Sequence, residues 1–144
     1  MKVRGGPFLN EIADRMNTKI ECANSNEGKC KWLNGLKYYA YSIHDSTMYQ
    51  FFVLLGIEKK IVSGPLPEYA AAATVELWID KVDRRSYFRL MYHPEDGAGI
   101  YPVTKEIDGC ADNEYCDLEV LKNIASKYRI EMPIPEASTR SVSN

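Results

Sequence analysis

Histidine is scarce in this sequence: only two occur in 144 positions, His44 and His93. A site built on a histidine cluster is thereby excluded, and a metal hydrolase using His44, Asp45 and His93 would have too few convincing ligands. No apolar run approaches the roughly 20 residues needed to span a bilayer, so no membrane span is expected in this chain. Neither sign of charge dominates. Eighteen Lys and Arg stand against 20 Asp and Glu, a formal net charge of −2, which leaves no basic footprint for nucleic acid. The short basic runs Lys59-Lys60 and Arg84-Arg85 read as solvated turns. The first residues, Met1 to Pro7, lack the apolar stretch of a secretory signal peptide. Internal repeats are absent as well.

What remains is an ordinary globular composition, 45% apolar and 26% charged, in a chain long enough for one domain with a real core. Its four cysteines fall as two local pairs, Cys22 with Cys30 and Cys110 with Cys116. Both pairs lie in stretches rich in Asn, Asp, Glu and Gly. Four cysteines allow three pairings, but local closure costs the least chain entropy, so disulfides Cys22–Cys30 and Cys110–Cys116 are expected. Zinc is the competing reading; the spacings are wider than those of finger ligands and no histidine lies beside either pair. Disulfides suggest an oxidising compartment. Without a signal peptide, they suggest a sequence that begins partway through a longer chain.

Phe8, Leu9, Ile12, Met16 and Ile20 recur at helical spacing, predicting an amphipathic helix entered from Gly5-Gly6-Pro7 with Pro7 in its first turn. Residues 21–31 are polar and read as a surface loop. The apolar run 38–43 suits a strand buried on both faces, as in a parallel sheet. After it, His44-Asp45-Ser46-Thr47 supplies helix-capping residues, Met48, Phe51, Phe52 and Leu55 continue at helical intervals, and Gly56 is a stop. Strands are expected over 72–79 and 87–92, joined by the charged turn 80–86 as an antiparallel hairpin. A long loop over 94–116 and a helix over 118–128 follow. Residues 131–144 are polar, without periodicity, and read as a disordered tail. This order belongs to an α/β layered domain whose sheet is incomplete within these residues.

The one sharp constellation is Tyr41-Ser42-Ile43-His44-Asp45-Ser46-Thr47. A strand end feeding a helix start collects ligands in open α/β sheets, and free N–H groups at the helix start suit an anion such as phosphate. A protonated His44 would add a donor, and Asp45 could hand a proton to a departing oxygen. Alone, a His-Asp dipeptide equally describes a strand-end histidine followed by a capping aspartate. Glu76 is a lone carboxylate in an alternating strand, solvent-facing or paired rather than catalytic. His93, followed by Pro94, reads as a strand-end residue.

The 41–47 stretch resembles the tyrosine-serine-x-histidine-aspartate-threonine-threonine block of the histidine acid phosphatases. The likeness extends from Gly5-Gly6-Pro7 through Leu66-Pro67-Glu68-Tyr69-Ala70, Val75-Glu76-Leu77-Trp78 and Phe88-Arg89-Leu90-Met91-Tyr92. It ends with Asp108-Gly109-Cys110 and Cys116-Asp117-Leu118, so that it spans about residues 5 to 128. Ser46 and Ile43 are mild departures within the block, and Ala70 to Ala73 is a small-residue run where some relatives carry a cysteine.

The resemblance implies the C-terminal portion of a three-layer α/β/α sandwich of the phosphoglycerate-mutase-like, histidine phosphatase type, with a mixed sheet, over residues 1–130. It implies a phosphomonoesterase that works through a phosphohistidine, with His44 holding the phosphoryl group and Asp45 protonating the leaving alcohol. The attacking histidine does not carry over, because neither histidine stands in an arginine-histidine-glycine motif; such a chain would be inactive alone. The expected partner is a phosphate monoester, with no cofactor and no metal, and the family allows a homodimer in the intact protein. The competing function is that of a secreted, non-catalytic relative with a binding role.

Overall fold

Two glycines and a proline stand inside the first helix rather than ahead of it. The structure, a computed structural model, describes residues 2–111 and 113–129, so the expected tail 131–144 lies outside the described residues. Helix α1 runs Lys2–Glu21 and contains Gly5, Gly6 and Pro7. The expected start at Pro7 is therefore corrected. Pro7 forfeits one intrahelical N–H bond in the second turn, and the glycines lower the helix propensity there. Packing explains why the helix forms regardless. A Cβ at Gly5 would lie 3.0 Å from Leu54 Cδ1 and 3.1 Å from Gln50 Cβ, and one at Gly6 would lie 2.8 Å from the carbonyl oxygen of Tyr128. Both glycines are sites of close approach: Gly5 to helix α3 (Asp45–Leu55) and Gly6 to the end of helix α5 (Leu118–Lys127).

One turn farther along, Asn10 is buried and donates through Nδ2 to the carbonyls of Gly6 at 3.0 Å and Ala125 at 2.9 Å, tying α1 to α5. Leu9, Ile12, Ala13 and Met16 complete the buried face of α1 and meet Phe51, Phe52 and Leu55 of α3 in one core. Burying a Phe or Leu contributes about 1.5–3 kcal/mol. The exposed ion pair of Arg129 with Asp14, 2.7 Å across the same helices, is worth about 0–1 kcal/mol. Packing, not ion pairing, sets the helix arrangement.

Helix α3 ends as expected. Gly56 adopts φ 74°, its N–H reaches the Val53 carbonyl at 3.0 Å, and the Ile57 N–H reaches Phe52 at 3.0 Å. Ile57 and Phe52 are both fully buried, which gives this glycine stop its hydrophobic contact.

The 21–31 loop is partly helical: helix α2 spans Lys29–Gly35. Seven residues are too few to show periodicity, and tertiary contacts supply what the sequence does not. The Cys22–Cys30 disulfide anchors its first turn. The Lys19 ammonium donates to the carbonyls of Leu33, Asn34 (3.3 Å) and Leu36 (2.9 Å), a cation at a helix C-terminus. The second expected disulfide, Cys110–Cys116, is also present, and among the described residues no cysteine is free.

The run 38–43 does not form the expected parallel strand. Among the described residues it pairs with no other strand, and every observed pairing is antiparallel. Apolar letters favour a strand, but a ladder needs a neighbour, and no described strand runs alongside. Tyr38 is accordingly 77% exposed. A one-turn helix, α4 (Glu58–Ile61), follows Ile57.

The hairpin is as expected: β1 is Ala72–Ile79 and β2 is Ser86–His93, paired from Ala72 opposite His93 to Ile79 opposite Ser86. Asp80 Oδ1 accepts from the N–H groups of Val82 at 2.7 Å and Asp83 at 3.1 Å, organising the turn. The expected long loop 94–116 is more ordered than its punctuation implies. Its two-residue strands β3 (Tyr101–Pro102) and β4 (Cys116–Asp117) both pair with the far edge of β2. Between them the buried Thr104 hydroxyl accepts the Leu90 N–H at 2.9 Å, and the Val103 N–H reaches the Leu90 carbonyl at 2.9 Å. The result is a four-stranded sheet centred on β2. Phe88, Leu90 and Tyr92 face the helices, so the α/β layered class stands.

On the opposite face Glu76 is directly across from Arg89. Arg89 grips it with Nε at 2.6 Å and Nη2 at 3.2 Å, Trp78 Nε1 donates to the same carboxylate at 2.9 Å, and Glu114 takes Arg89 Nη1 at 3.1 Å. The guanidinium also lies 5.6 Å from the Trp78 ring and 5.3 Å from Tyr115. Glu76 is thus a paired structural carboxylate.

Gly6→Ala is expected to lower stability by about 1–3 kcal/mol despite its gain in helix propensity, because the methyl would meet a backbone oxygen. Gly35→Ala, where a Cβ meets nothing within 4 Å, should be neutral or stabilising. Urea denaturation compares them, and equal midpoints would refute the close-approach account.

The hydrogen bonds from Arg89, opposed by burial and aided by Trp78, hold the Glu76 pKa below its ordinary 4.5. Its contribution to stability is therefore complete above that ordinary value and is lost as pH falls through the depressed folded value. Below about pH 4.5 the wild type should lose stability more steeply than Glu76→Gln, read from urea midpoints across pH 2.5–6 (about two units either side of the carboxylate range).

Candidate functional site

The start of α3 is built by the connection that precedes it. That connection leaves α2 at Leu36, whose N–H bonds the Leu33 carbonyl at 3.1 Å, and reaches His44 in extended geometry, φ −73° and ψ 156°. Two aromatic residues fasten it to α1. Tyr41 packs edge-on against Phe8 with centroids 5.2 Å apart, and Tyr39 lies 4.9 Å from Tyr41. Arg15 on α1 donates from Nε to the Tyr41 hydroxyl at 3.0 Å and places its guanidinium carbon 3.8 Å from the centre of the Tyr39 ring. Burial raises the Tyr41 phenol's pKa, outweighing the lowering effect of Arg15, so the hydroxyl stays neutral and free to accept.

His44 occupies the capping position of α3, and its carbonyl accepts the N–H groups of Thr47 at 3.0 Å and Met48 at 3.1 Å. Asp45 is the first helical residue; its Oδ1 accepts the N–H of Ser46 at 2.6 Å. Both side chains face solvent. The positive end of the helix favours an anion brought to this place. The hydrophobic residues behind the motif hold this terminus in position: Phe51 lies against Phe8 at 5.7 Å, and Phe52 against Tyr92 at 5.1 Å.

The two residues singled out by sequence are therefore adjacent at one helix start. His93 ends β2 opposite Ala72, and Glu76 is committed to Arg89. Among the described residues, no three His, Cys, Asp or Glu side chains gather as a metal-binding group. A shallow concavity of about 530 Å³ lies elsewhere, lined by Lys19, Ala23, Asn26, Asn34, Leu77 and Ile79. Its lining includes neither motif residue and its one cation is already bonded to backbone carbonyls, so the helix start is the better candidate. Sequence reasoning missed Arg15 entirely: it is one charged residue among several on the polar side of α1, and only the fold brings it to Tyr39 and Tyr41.

No solved structure matches this chain. Two Caenorhabditis elegans proteins resemble it along almost its whole length. One, named "Putative acid phosphatase 11", is 33% identical over 141 residues, which cover 96% of this chain and 33% of that protein. The other, named "Putative acid phosphatase 10", is 31% identical over 139 residues, covering 96% of this chain and 33% of that protein. The chain thus spans about a third of the length of the relatives it matches. The sequence profile of the histidine phosphatase superfamily, branch 2, matches residues 1–93, a stretch that holds α1, the Arg15-braced connection, the His44-Asp45 helix start and the β1–β2 hairpin. The chain belongs to that superfamily.

Proposed function

We propose that residues 1–130 form the C-terminal part of a histidine acid phosphatase domain and supply half of its active site. The observation that carries this reading is the His44-Asp45 pair at an exposed helix N-terminus, inside the stretch that matches the superfamily. A phosphate monoester brought to this terminus meets the positive end of the helix. His44, when protonated, donates to a phosphoryl oxygen. An attacking histidine supplied from outside these 144 residues forms a bond to phosphorus as the bond to the alcohol oxygen breaks, and Asp45 gives that oxygen its proton. Water then cleaves the phosphorus–nitrogen bond and releases phosphate. In this role Asp45 enters the step in its acid form and leaves it as the carboxylate. The two disulfides and the acid phosphatase names of the relatives fit a secreted or lysosomal setting.

Joined to a segment carrying the arginine-histidine-glycine motif, the chain should hydrolyse phosphate monoesters. Asp45→Asn should then slow alkyl phosphates about 10²–10⁴-fold and nitrophenyl phosphate far less, because only poor leaving groups need the proton. An equal loss for both would assign Asp45 a structural role. Alone, the chain should show no nitrophenyl phosphate turnover above background at acid or neutral pH, since phosphoryl transfer rests on positioned cationic groups that the described residues do not assemble at the helix start. Turnover that His44→Ala abolishes would show that the nucleophile lies within this chain and would overturn the two-part site.

A further inference from the structure

We infer that Arg15 is the positioning residue for the His44-Asp45 pair, the clamp through which helix α1 holds the connection that carries it. The inference rests on the phosphatase reading only for what the pair does, not for how it is held.

Among the described residues, no backbone N–H or C=O of residues 37–43 takes part in a hydrogen bond. A segment without ladder or helix bonds keeps its conformational entropy unless side chains remove it. Downstream it is fixed by the His44 carbonyl, which accepts the first bonds of α3. Upstream it is fixed at Leu36, through Leu33 and Lys19. Between those anchors, among the described residues, the polar contacts converge on one group. The Arg15 guanidinium bonds the Tyr41 hydroxyl at 3.0 Å and stacks 3.8 Å from the Tyr39 ring centre. Its Nη2 is held by Glu11 at 3.3 Å, one turn back on the same helix. The two tyrosines touch each other, and Tyr41 touches Phe8. A planar, multidentate cation can stack on one ring while donating to the next; a lysine ammonium could not do both. Tyr41 precedes His44 by three residues, so slack at the clamp passes directly into the position of the imidazole.

The test uses the full chain, labelled for NMR, with inorganic phosphate as the probe. In the wild type, backbone order parameters over 39–44 should be near the rigid value of about 0.85, and phosphate should shift the His44 imidazole resonances. In Arg15→Ala the order parameters should fall below about 0.6 with α1 and α5 unchanged. The phosphate concentration that half-saturates the His44 shift should rise at least about tenfold, as expected if only about a tenth of molecules hold the competent geometry. Arg129→Ala, which removes another ion pair to the same helix, should change neither readout. If Arg15→Ala does not fold, Tyr39→Ala combined with Tyr41→Phe removes both partners, leaves Arg15 on Glu11, and should give the same loss. A folded variant that keeps rigid 39–44 and the wild-type phosphate response overturns the inference and leaves the phosphatase reading intact. Loosening of 39–44 in Arg15→Ala, with a wild-type His44 that ignores phosphate, supports the clamp and removes the phosphate reading instead.

Discussion

The rest of this structure depends on how closely two helices approach the first turns of α1. At Gly6 there is no room for a β-carbon beside the Tyr128 carbonyl at the end of α5, and at Gly5 Gln50 and Leu54 of α3 leave only tight space for one. That contact costs helix propensity at two positions and is recovered in burial. It also sets the distance at which Phe8 meets Phe51 and Asn10 meets Ala125. Once α3 is docked in this way its N-terminus has only one place to be, and His44 and Asp45 are presented there to solvent.

The sheet obeys a complementary constraint. Strand β2 is flanked by β1 along its whole length on one edge, and on the other by a patchwork of two short strands with a threonine hydroxyl between them. Backbone groups in a buried strand must all be bonded, and this patchwork achieves it without a full-length partner. The Cys110–Cys116 disulfide closes the loop that delivers β4 and, one residue later, the Asp117 cap of α5. The same covalent bond thus serves the sheet edge and the helix that reaches back to Gly6. The concentration of Arg89, Glu76, Trp78 and Tyr115 on the outer face orders that surface by charge-assisted bonds and ring contacts rather than by burial.

The match over residues 1–93 includes α1, the connection and α3, whereas β4 and α5 lie beyond it and join the same core. A site assembled at the end of a connection without backbone bonds needs an external brace, and the aromatic and guanidinium cluster on α1 supplies one. The contacts of Arg15 and Phe8 fall on Tyr39 and Tyr41, on the approach to the His44-Asp45 helix start.

Much of this was legible in the residue order. The apolar spacing of Phe8 to Ile20 and of Met48 to Leu55, the Gly56 stop, the hairpin, the last helix and both disulfides are local features. Each is decided by neighbours within a turn or two of chain, and sequence alone determined them, along with the resemblance that pointed to His44 and Asp45. Tertiary structure decided the remainder. It drew Gly5 to Pro7 into the helix because other helices press on Gly5 and Gly6, and it made a helix of residues 29–35 by setting Lys19 on its carbonyls. It left 38–43 without a ladder because no described strand runs beside it, and it turned Arg15 from one surface charge into the group that holds Tyr39 and Tyr41. The physical reason is common to all four: periodicity records which side of an element is buried, whereas partners distant in sequence determine what that side, or an unpaired backbone, will meet.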